Sequence, residues 1–276
     1  MTVLPHESDE ELPAWSLPAS AEEALRVHSP WPPEVSREWA WGGATGARVR
    51  ICILDSGVEL DHPLVGKVQR SVAVTKSEEG IVIADDDAGD LCGHGTACAG
   101  IVRMLAPECE LTSVRVLGAG YTGSAAVLLA GLEWAIEEGF DVINMSLSTT
   151  KKQYVDRLHE LADAAYFKRT MLIASAHNMP VDSFPWRFAS VISVGSHESA
   201  DPYLVYANPT PPVEFFARGL MVEVAWLGGE TITATGNSFA TPHVAGLCAL
   251  ILSKHPHLTP FQLKSALHLA SGNVET

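Results

Sequence analysis

Residues 51–57 read ICILDSG, a continuous apolar run of strand length that ends at an aspartate followed by a Ser-Gly pair. Together with the other apolar runs, it predicts strands at residues 49–54, 111–116, 142–145, 171–174 and 191–194. The predicted helices are residues 96–104, 125–138, 154–166, 238 to about 254, and 260–269. Strands and helices that alternate in this way form a parallel sheet covered on both faces. The sequence therefore predicts an α/β fold with a doubly wound, mostly parallel central sheet.

The first 33 residues differ in composition from the rest of the chain. They are rich in Pro, Glu and Ser, and prolines at positions 5, 13, 18, 30, 32 and 33 interrupt any long regular element. One short helix is predicted at residues 21–27, where Ser20 and Glu23 form a capping-box pattern. We therefore divide the chain into a proline-rich extension, residues 1–33, which is either inhibitory or disordered, and one globular domain, residues 34–276.

The charge balance of the chain argues against several classes of partner. The chain carries 18 Lys and Arg residues against 33 Asp and Glu residues, a net charge of −15 at pH 7. Attraction to a nucleic acid or to an anionic membrane would have to overcome that field, so we expect neither partner. The longest uncharged apolar run, residues 244–252, is far shorter than a membrane span and is typical of a buried helix.

The cysteines and the first residues predict a cellular location. The five cysteines are odd in number and have no metal-ligand spacing, which indicates reduced thiols. Residues 1–11 are acidic and lack the basic and apolar segments of a secretion signal. From these two features we expect a cytoplasmic protein.

Four polar residues lie where predicted strands and helices begin or end. Asp55 ends the first strand, His94 and Ser238 lie at helix entrances, and Asn178 follows the strand at residues 171–174. Each of them alone is more often a turn or capping residue than a catalytic one. Asp, His and Ser in this chain order, with small neighbours, are the parts of an acyl-transfer site. In that interpretation Ser238 attacks a carbonyl, His94 accepts its proton and Asp55 orients His94, while an amide such as that of Asn178 can donate to the oxyanion.

The segments around these residues resemble the subtilisin-like serine proteases, or subtilases. The matching segments are residues 53–57 (ILDSG), 93–96 (GHGT), 142–147 (VINMSL) and 236–246 (GNSFATPHVAG), in the order of that family. The resemblance extends from about residue 37 to residue 269. It implies a serine endopeptidase of compact, intracellular type whose catalytic residues are Asp55, His94, Ser238 and the oxyanion-hole residue Asn178.

The resemblance also implies how a substrate binds. A peptide or protein would lie as an extended strand between two segments of the chain. These segments are Val116, Leu117 and Gly118 on one side and Ser146, Leu147 and Ser148 on the other. The pocket for the fourth residue before the cut, which we expect to be apolar, would be lined by Leu117, Leu128 and Leu147. The pocket for the residue just before the cut would be walled by Ala174, Ser175, Ala176 and His177.

Three positions in the matching region depart from the family pattern. His177 and Ser148 stand where the family usually or often has glycine, so both rims of the primary pocket carry extra atoms. Asn237 replaces a usual threonine beside the nucleophile. The size of the primary pocket is therefore expected to differ from that of most relatives.

The sequence near His94 contains the candidate metal ligands and one cysteine of interest. The segments that hold calcium in many subtilases are short here, so we expect no metal and no cofactor. Asp85, Asp86, Asp87 and Asp90 form an acidic cluster that either binds a cation or a basic substrate residue or is a solvated loop. Cys98 matches a cysteine of the proteinase K and kexin branches, and we interpret it as a buried thiol rather than a nucleophile.

The sequence leaves the biological role open between several alternatives. An intracellular serine endopeptidase of this size suits either the removal of a leader from a ribosomally made peptide or general protein turnover. A peptide-binding module that has lost turnover is a further alternative. An esterase or lipase would need a Gly-x-Ser-x-Gly segment, which the residues around Ser238 do not provide. The N-terminal extension either lies over the cleft and inhibits the enzyme or is a tail or surface strap.

Overall fold

The computed structural model describes Ser16 and residues 31–275, and Val35–Thr276 belong to one compact unit. The helix predicted at residues 21–27 and nearly all of the predicted extension lie outside the described residues.

A nine-stranded sheet forms the centre of this unit. Its strands are β1 (Arg50–Asp55), β2 (Val68–Ser77), β3 (Gly80–Asp85), β4 (Glu110–Arg115), β5 (Val142–Met145), β6 (Met171–Ser175), β7 (Ile192–His197), β8 (Tyr206–Ala207) and β9 (Phe215–Arg218). They lie side by side in the order β3-β2-β4-β1-β5-β6-β7-β9-β8. The two edge strands β3 and β8 are antiparallel to their neighbours, and all other pairs are parallel. A separate antiparallel pair comprises β10 (Val222–Trp226) and β11 (Glu230–Ala234).

The strand order reverses at β1, which lies between β4 and β5 although both follow it in the chain. In open α/β sheets, ligands bind beyond the carboxyl ends of the strands at such a reversal. Asp55 is the last residue of β1 and therefore lies at that position.

Helices cover both faces of the sheet. They are α1 (Arg37–Trp41), α2 (His94–Leu105), α3 (Ala125–Glu137), α4 (Val155–Phe167), α5 (Asn237–Lys254) and α6 (Pro260–Leu269). Helices α3 and α4 pack on the face of β1 that carries Cys52 and Leu54. Helices α2 and α5 pack against each other and against the sheet. Every residue of α5 from Phe239 to Leu252 is buried, as expected of a helix that is apolar on all sides.

The predicted doubly wound α/β fold is confirmed, since each strand and helix predicted within residues 34–276 is present, with its start within two residues and its end within three residues of the prediction. The prediction missed the β2–β3 hairpin. Only three of the ten residues of β2 are buried. All six residues of β3 are exposed, although residues 81–84 (IVIA) form a short apolar run, so this hairpin lacks the burial of the central strands. None of the helices in the described part of the chain combines the length and apolar character that a membrane span needs.

Candidate active site

Asp55 and His94 are joined directly at the carboxyl edge of the sheet. Oδ1 of Asp55 lies 2.8 Å from Nδ1 of His94, and it also accepts the backbone N–H of Ser56. Asp55 is fully buried, and the side chain of His94 is 12% exposed. The carboxylate therefore fixes a proton on Nδ1 and leaves Nε2 of the ring to act as a base.

The electrostatic environment of His94 favours its protonated form. Burial alone would lower the pKa of His94, but the charge of Asp55 and the hydrogen bond to it raise that pKa well above the ordinary value of histidine. Burial raises the pKa of Cys98, so that it remains a thiol next to the imidazole. Its Sγ lies 4.0 Å from His94 Nδ1.

The loop before His94 is held by a buried carboxylate. Asp90 accepts hydrogen bonds from the backbone of Cys92, Gly93 and Thr96 and from the hydroxyls of Ser56 and Thr96. The bonds from Gly93 and Thr96 satisfy two N–H groups at the start of α2, and the bond from Ser56 ties this helix start to the end of β1. Asp90 therefore positions His94 relative to Asp55, a role that the sequence analysis did not assign.

The acidic cluster is only partly a solvated loop. Asp86 is buried and binds Arg115 through both carboxylate oxygens, at 2.7 and 2.9 Å, and Asp90 is buried in the network described above. Only Asp85 and Asp87 are exposed. The two inner carboxylates thus already have partners within the chain, because the β2–β3 hairpin folds the cluster back onto β4 and α2.

Ser238 lies in the first turn of α5, at the same cleft as His94. Its carbonyl accepts the hydroxyl of Ser146 at 2.8 Å and lies 3.7 Å from Cys98 Sγ. A Cβ placed on Gly236 would lie 3.3 Å from Ser238 Oγ and 3.5 Å from Asn178 Nδ2. The hydroxyl and the amide thus flank one small space, which any side chain at position 236 would occupy.

The orientation of Asn178 is set by a backbone group. Its Oδ1 accepts the N–H of Asn237 at 3.0 Å, so that Nδ2 remains to donate into the cleft. The amide of Asn237 turns the other way. It accepts from the hydroxyl of Ser196 and donates to the carbonyl of Ala176, so it is not a second oxyanion donor.

The cleft beside Ser238 has a volume of about 460 Å³. It brings together most of the predicted substrate-binding residues: Val116, Leu117, Leu128, Ser146, Leu147, Ser148, Ser175, Ala176 and His177, along with His94, Asn178 and Ser238. Ala174 does not line it, because this residue is fully buried within β6. Tyr121, Gly123, Ser124, Ala125, Thr149 and Lys151, which the sequence analysis did not select, also line the cleft.

Several backbone groups of the segment from Val116 to Gly118 already pair within the chain. The N–H groups of Val116 and Leu117 both donate to the carbonyl of Asp55. The N–H of Gly118 donates to Thr122, and its carbonyl accepts from Cys92 Sγ. Gly118 does not line the cleft, whereas Val116 and Leu117 do, together with Tyr121 and Gly123 further along the chain.

One group of side chains in the described part of the chain has donor atoms close enough to hold a metal ion. The donor atoms of Asp55, His94 and Cys98 all lie within 4.8 Å of one another. Of these three side chains only His94 lines the cleft, and an ion held by them would compete with the Asp55–His94 hydrogen bond.

Comparisons with known proteins agree with this arrangement. The profile described as the subtilase family matches residues 46–275. Subtilisin DY from Bacillus licheniformis is 31% identical over 252 residues, which cover 84% of this chain and 86% of that protein. A subtilisin from Bacillus pumilus is 32% identical over 245 residues, covering 82% of this chain and 84% of its own. The crystal structure of a cold adapted subtilisin-like serine proteinase matches with a TM-score of 0.68 at 30% identity, covering 81% of this chain and 82% of that one.

Proposed function

The chain belongs to the subtilase family and is a subtilisin-like serine endopeptidase, and from this premise we propose that Ser238, His94 and Asp55 hydrolyse the peptide bond. The observation that supports these roles best is the 2.8 Å hydrogen bond between the buried Asp55 carboxylate and His94 Nδ1, at the cleft that Ser238 also lines. It sets the imidazole in the tautomer that accepts a proton from a hydroxyl.

The proposed reaction has two steps. In the first, Ser238 Oγ attacks the carbonyl carbon as His94 Nε2 takes its proton, and the proton then passes to the leaving amine as the peptide bond breaks. In the second, a water molecule gives a proton to His94 and attacks the acyl-enzyme, which releases the acid and restores Ser238. Asp55 stabilises the imidazolium in both steps, and none of these transfers requires a metal or a cofactor.

Asn178 would stabilise the negative charge that forms on the carbonyl oxygen. Its Nδ2 lies near Ser238 Oγ and lacks a partner within the described residues. A donor aimed at the oxyanion is worth more in the transition state than in the ground state, since the charge develops only there. The N-terminus of α5, where Ser238 lies, adds favourable dipole potential.

The substrate would be a peptide or protein bound in extended form along the cleft. Leu117, Leu128 and Leu147 form its apolar part and suit an apolar residue upstream of the cut. Tyr121 and His177 place side chains at its two rims. Side chains at both rims should restrict which peptide sequences enter the cleft, so that the enzyme cuts at a few sites rather than broadly. We therefore propose that it removes a leader from a peptide, with general protein turnover as the alternative.

A reducing, cytoplasmic location is part of the same proposal. Its support is that all five cysteines are free and that four of them are buried. Free thiols of this number persist where thiols are kept reduced.

The test is digestion of a peptide library and of a denatured protein, read by mass spectrometry. The wild type is compared with Ser238→Ala and with Ser265→Ala, a control at a serine of α6 outside the cleft. We expect cleavage that is lost in Ser238→Ala, retained in Ser265→Ala and insensitive to EDTA. Equal cleavage by wild type and Ser238→Ala would overturn the assignment of the nucleophile, and indiscriminate cutting of the denatured protein would favour turnover.

A further inference from the structure

The titratable side chains that line the cleft include bases and a tyrosine but no carboxylate among the described residues. Besides His94, its titratable side chains are Lys151, His177 and Tyr121, and no carboxylate is among the described residues that line it. The chain as a whole carries 33 acidic residues and a net charge of −15. A cleft without a carboxylate, with a lysine and a histidine on its walls, therefore differs in charge from the rest of the molecule.

We propose that the pocket beside Ser238 selects a carboxylate side chain, Glu or Asp, in the residue that precedes the cut. This inference rests on the proposed function, because it names the substrate class of that same site.

The pocket lies between two loops that follow adjacent parallel strands. Residues 146–151 follow β5 and residues 176–179 follow β6, and the two strands are hydrogen-bonded neighbours. A carbonyl placed between Ser238 Oγ and Asn178 Nδ2 directs the side chain of its own residue into the space between these loops. Lys151 of the first loop and His177 of the second both line the cleft beside Ser238.

The wall that carries Lys151 is anchored to the body of the protein. Thr149 and Phe184 exchange two backbone hydrogen bonds of 2.9 Å, and Ser148 Oγ bonds the buried Ser183 hydroxyl, which also accepts Trp186 Nε1. The N–H of Lys151 in turn donates to Thr149 Oγ1. These contacts fix the position of the Lys151 backbone at the pocket.

The Lys151 ammonium is available to a ligand. It has no ion-pair or hydrogen-bond partner within the part of the chain that the structure describes, whereas Lys254 and Lys264 are each bound to protein oxygens. An unpaired cation at a rim attracts an anion, and its effect decreases with ionic strength because it is exposed.

His177 offers a second donor from the opposite wall. Its Nδ1 lies 3.0 Å from the backbone nitrogen and 3.2 Å from the carbonyl oxygen of Met179. In the neutral tautomer that accepts the Met179 N–H, the proton lies on Nε2, which then serves as a donor. Nε2 has no partner within the described residues. A carboxylate accepts hydrogen bonds but donates none, and it therefore matches two donors on opposing walls better than an amide of the same shape does.

The proposal is tested with peptides that differ only at the residue before the cut, as Glu, Gln, Asp, Asn, Ala and Lys. We expect kcat/KM for Glu to exceed that for Gln by roughly tenfold at low salt, and the ratio to shrink in 1 M NaCl. Lys151→Met should reduce the Glu to Gln ratio several-fold. Lys152→Met, at the exposed neighbour that does not line the cleft, should leave the ratio unchanged. A wild-type ratio at or below one, or the same loss in Lys152→Met, would overturn the inference.

A binding measurement separates this inference from the proposed function. Ser238→Ala is titrated with the Glu and Gln peptides by calorimetry, which needs no turnover. Tighter binding of the Glu peptide supports the inference even if the wild type cuts nothing, in which case only the proposed function fails. Equal binding together with Ser238-dependent cleavage of the other peptides overturns the inference and leaves the proposed function intact.

Discussion

The backbone N–H of Asn237 donates to the side-chain oxygen of Asn178 at 3.0 Å. Asn237 directly precedes Ser238, so the residue next to the nucleophile determines which way the amide of Asn178 faces. Nucleophile and oxyanion donor are thereby positioned by one hydrogen bond between the start of α5 and the loop after β6. This bond explains why the substitution of Asn237 for the usual threonine is compatible with an intact site.

Replacement of Asn178 by Ala removes the oxyanion donor. We expect kcat to fall by about 10²–10³-fold, the range for loss of one such donor, for which subtilisin is the type case. KM should change little, because the lost bond forms only in the transition state. Steady-state kinetics on one good peptide checks this split. A rise in KM with normal kcat would instead make Asn178 a ground-state binding residue.

The activity should depend on the protonation of His94. Below its pKa the imidazolium cannot accept a proton from Ser238, so the rate falls as the pH falls through that pKa. Since Asp55 raises the pKa, the acid limb of the kcat/KM profile should lie above pH 6.5, the ordinary value for histidine. The profile is measured between pH 5 and 10, with circular dichroism at each pH to show that the protein stays folded. A flat profile over this range would be incompatible with His94 as the base.

Asp90→Asn tests the positioning of His94. All partners of the Asp90 carboxylate are hydrogen-bond donors, and the NH₂ group of an asparagine at this position cannot accept from them. The free energy of unfolding should therefore decrease by about 1–3 kcal/mol. The rate should also fall, because the start of α2 carries His94. Asp87→Asn, at the exposed aspartate of the same loop, is the matched control and should alter neither property. Denaturant unfolding and kcat are measured for both variants, and equal effects would show that the loop charge matters rather than the bonds of Asp90.

The strengths and failures of the sequence analysis have physical causes. Asp55 was recognisable because it directly follows the apolar run of residues 51–54. The role of Asp90 was not, because its partners Ser56 and Thr96 meet it only after the chain has folded. The hydrogen bonds of Gly118 were not predictable, because a motif gives positions along the chain but not which N–H groups are already paired. Lys151 carries no sequence signal, since an exposed lysine in a loop is ordinary until the cleft beside it is seen.

Mercurials should inactivate the enzyme slowly through Cys98. A mercury atom bound to its Sγ would lie against His94 Nδ1, 4.0 Å away, and displace the bond to Asp55. Inhibition should be slow because burial raises the pKa of this thiol. Cys98→Ala should resist, whereas Cys92→Ala should remain sensitive. Labelling is followed by mass spectrometry beside residual activity, and full activity after stoichiometric labelling of Cys98 would disprove the mechanism.

His243 should weaken the fold in acid. It is fully buried in α5, where burial, with lesser effects of Arg218 and His197, lowers its pKa to about 4. In the unfolded chain His243 takes up a proton near pH 6.5, whereas in the folded protein it does so only near pH 4. The free energy of unfolding therefore decreases as the pH drops from 6.5 towards 4. The total loss from this residue is about 3 kcal/mol at most.

The comparison that isolates this effect is wild type against His243→Leu, with unfolding by urea measured at pH 7.5, 6 and 5. Nδ1 of His243 contacts only the carbonyl of Phe239 in its own helix, so leucine leaves no new partner unpaired across the fold. The variant should lose less stability than wild type as the pH falls, while His268→Leu, at an exposed histidine of α6, should follow wild type. The effect of His94 on stability has the opposite pH dependence. Because the pKa of His94 is raised in the folded protein, its contribution to stability is complete below pH 6.5 and is lost as the pH rises through the folded-state pKa. Its contribution is the same in all three proteins and cancels in the differences. Parallel pH curves for wild type and His243→Leu would therefore show that His243 is protonated as readily in the folded state as in the unfolded one.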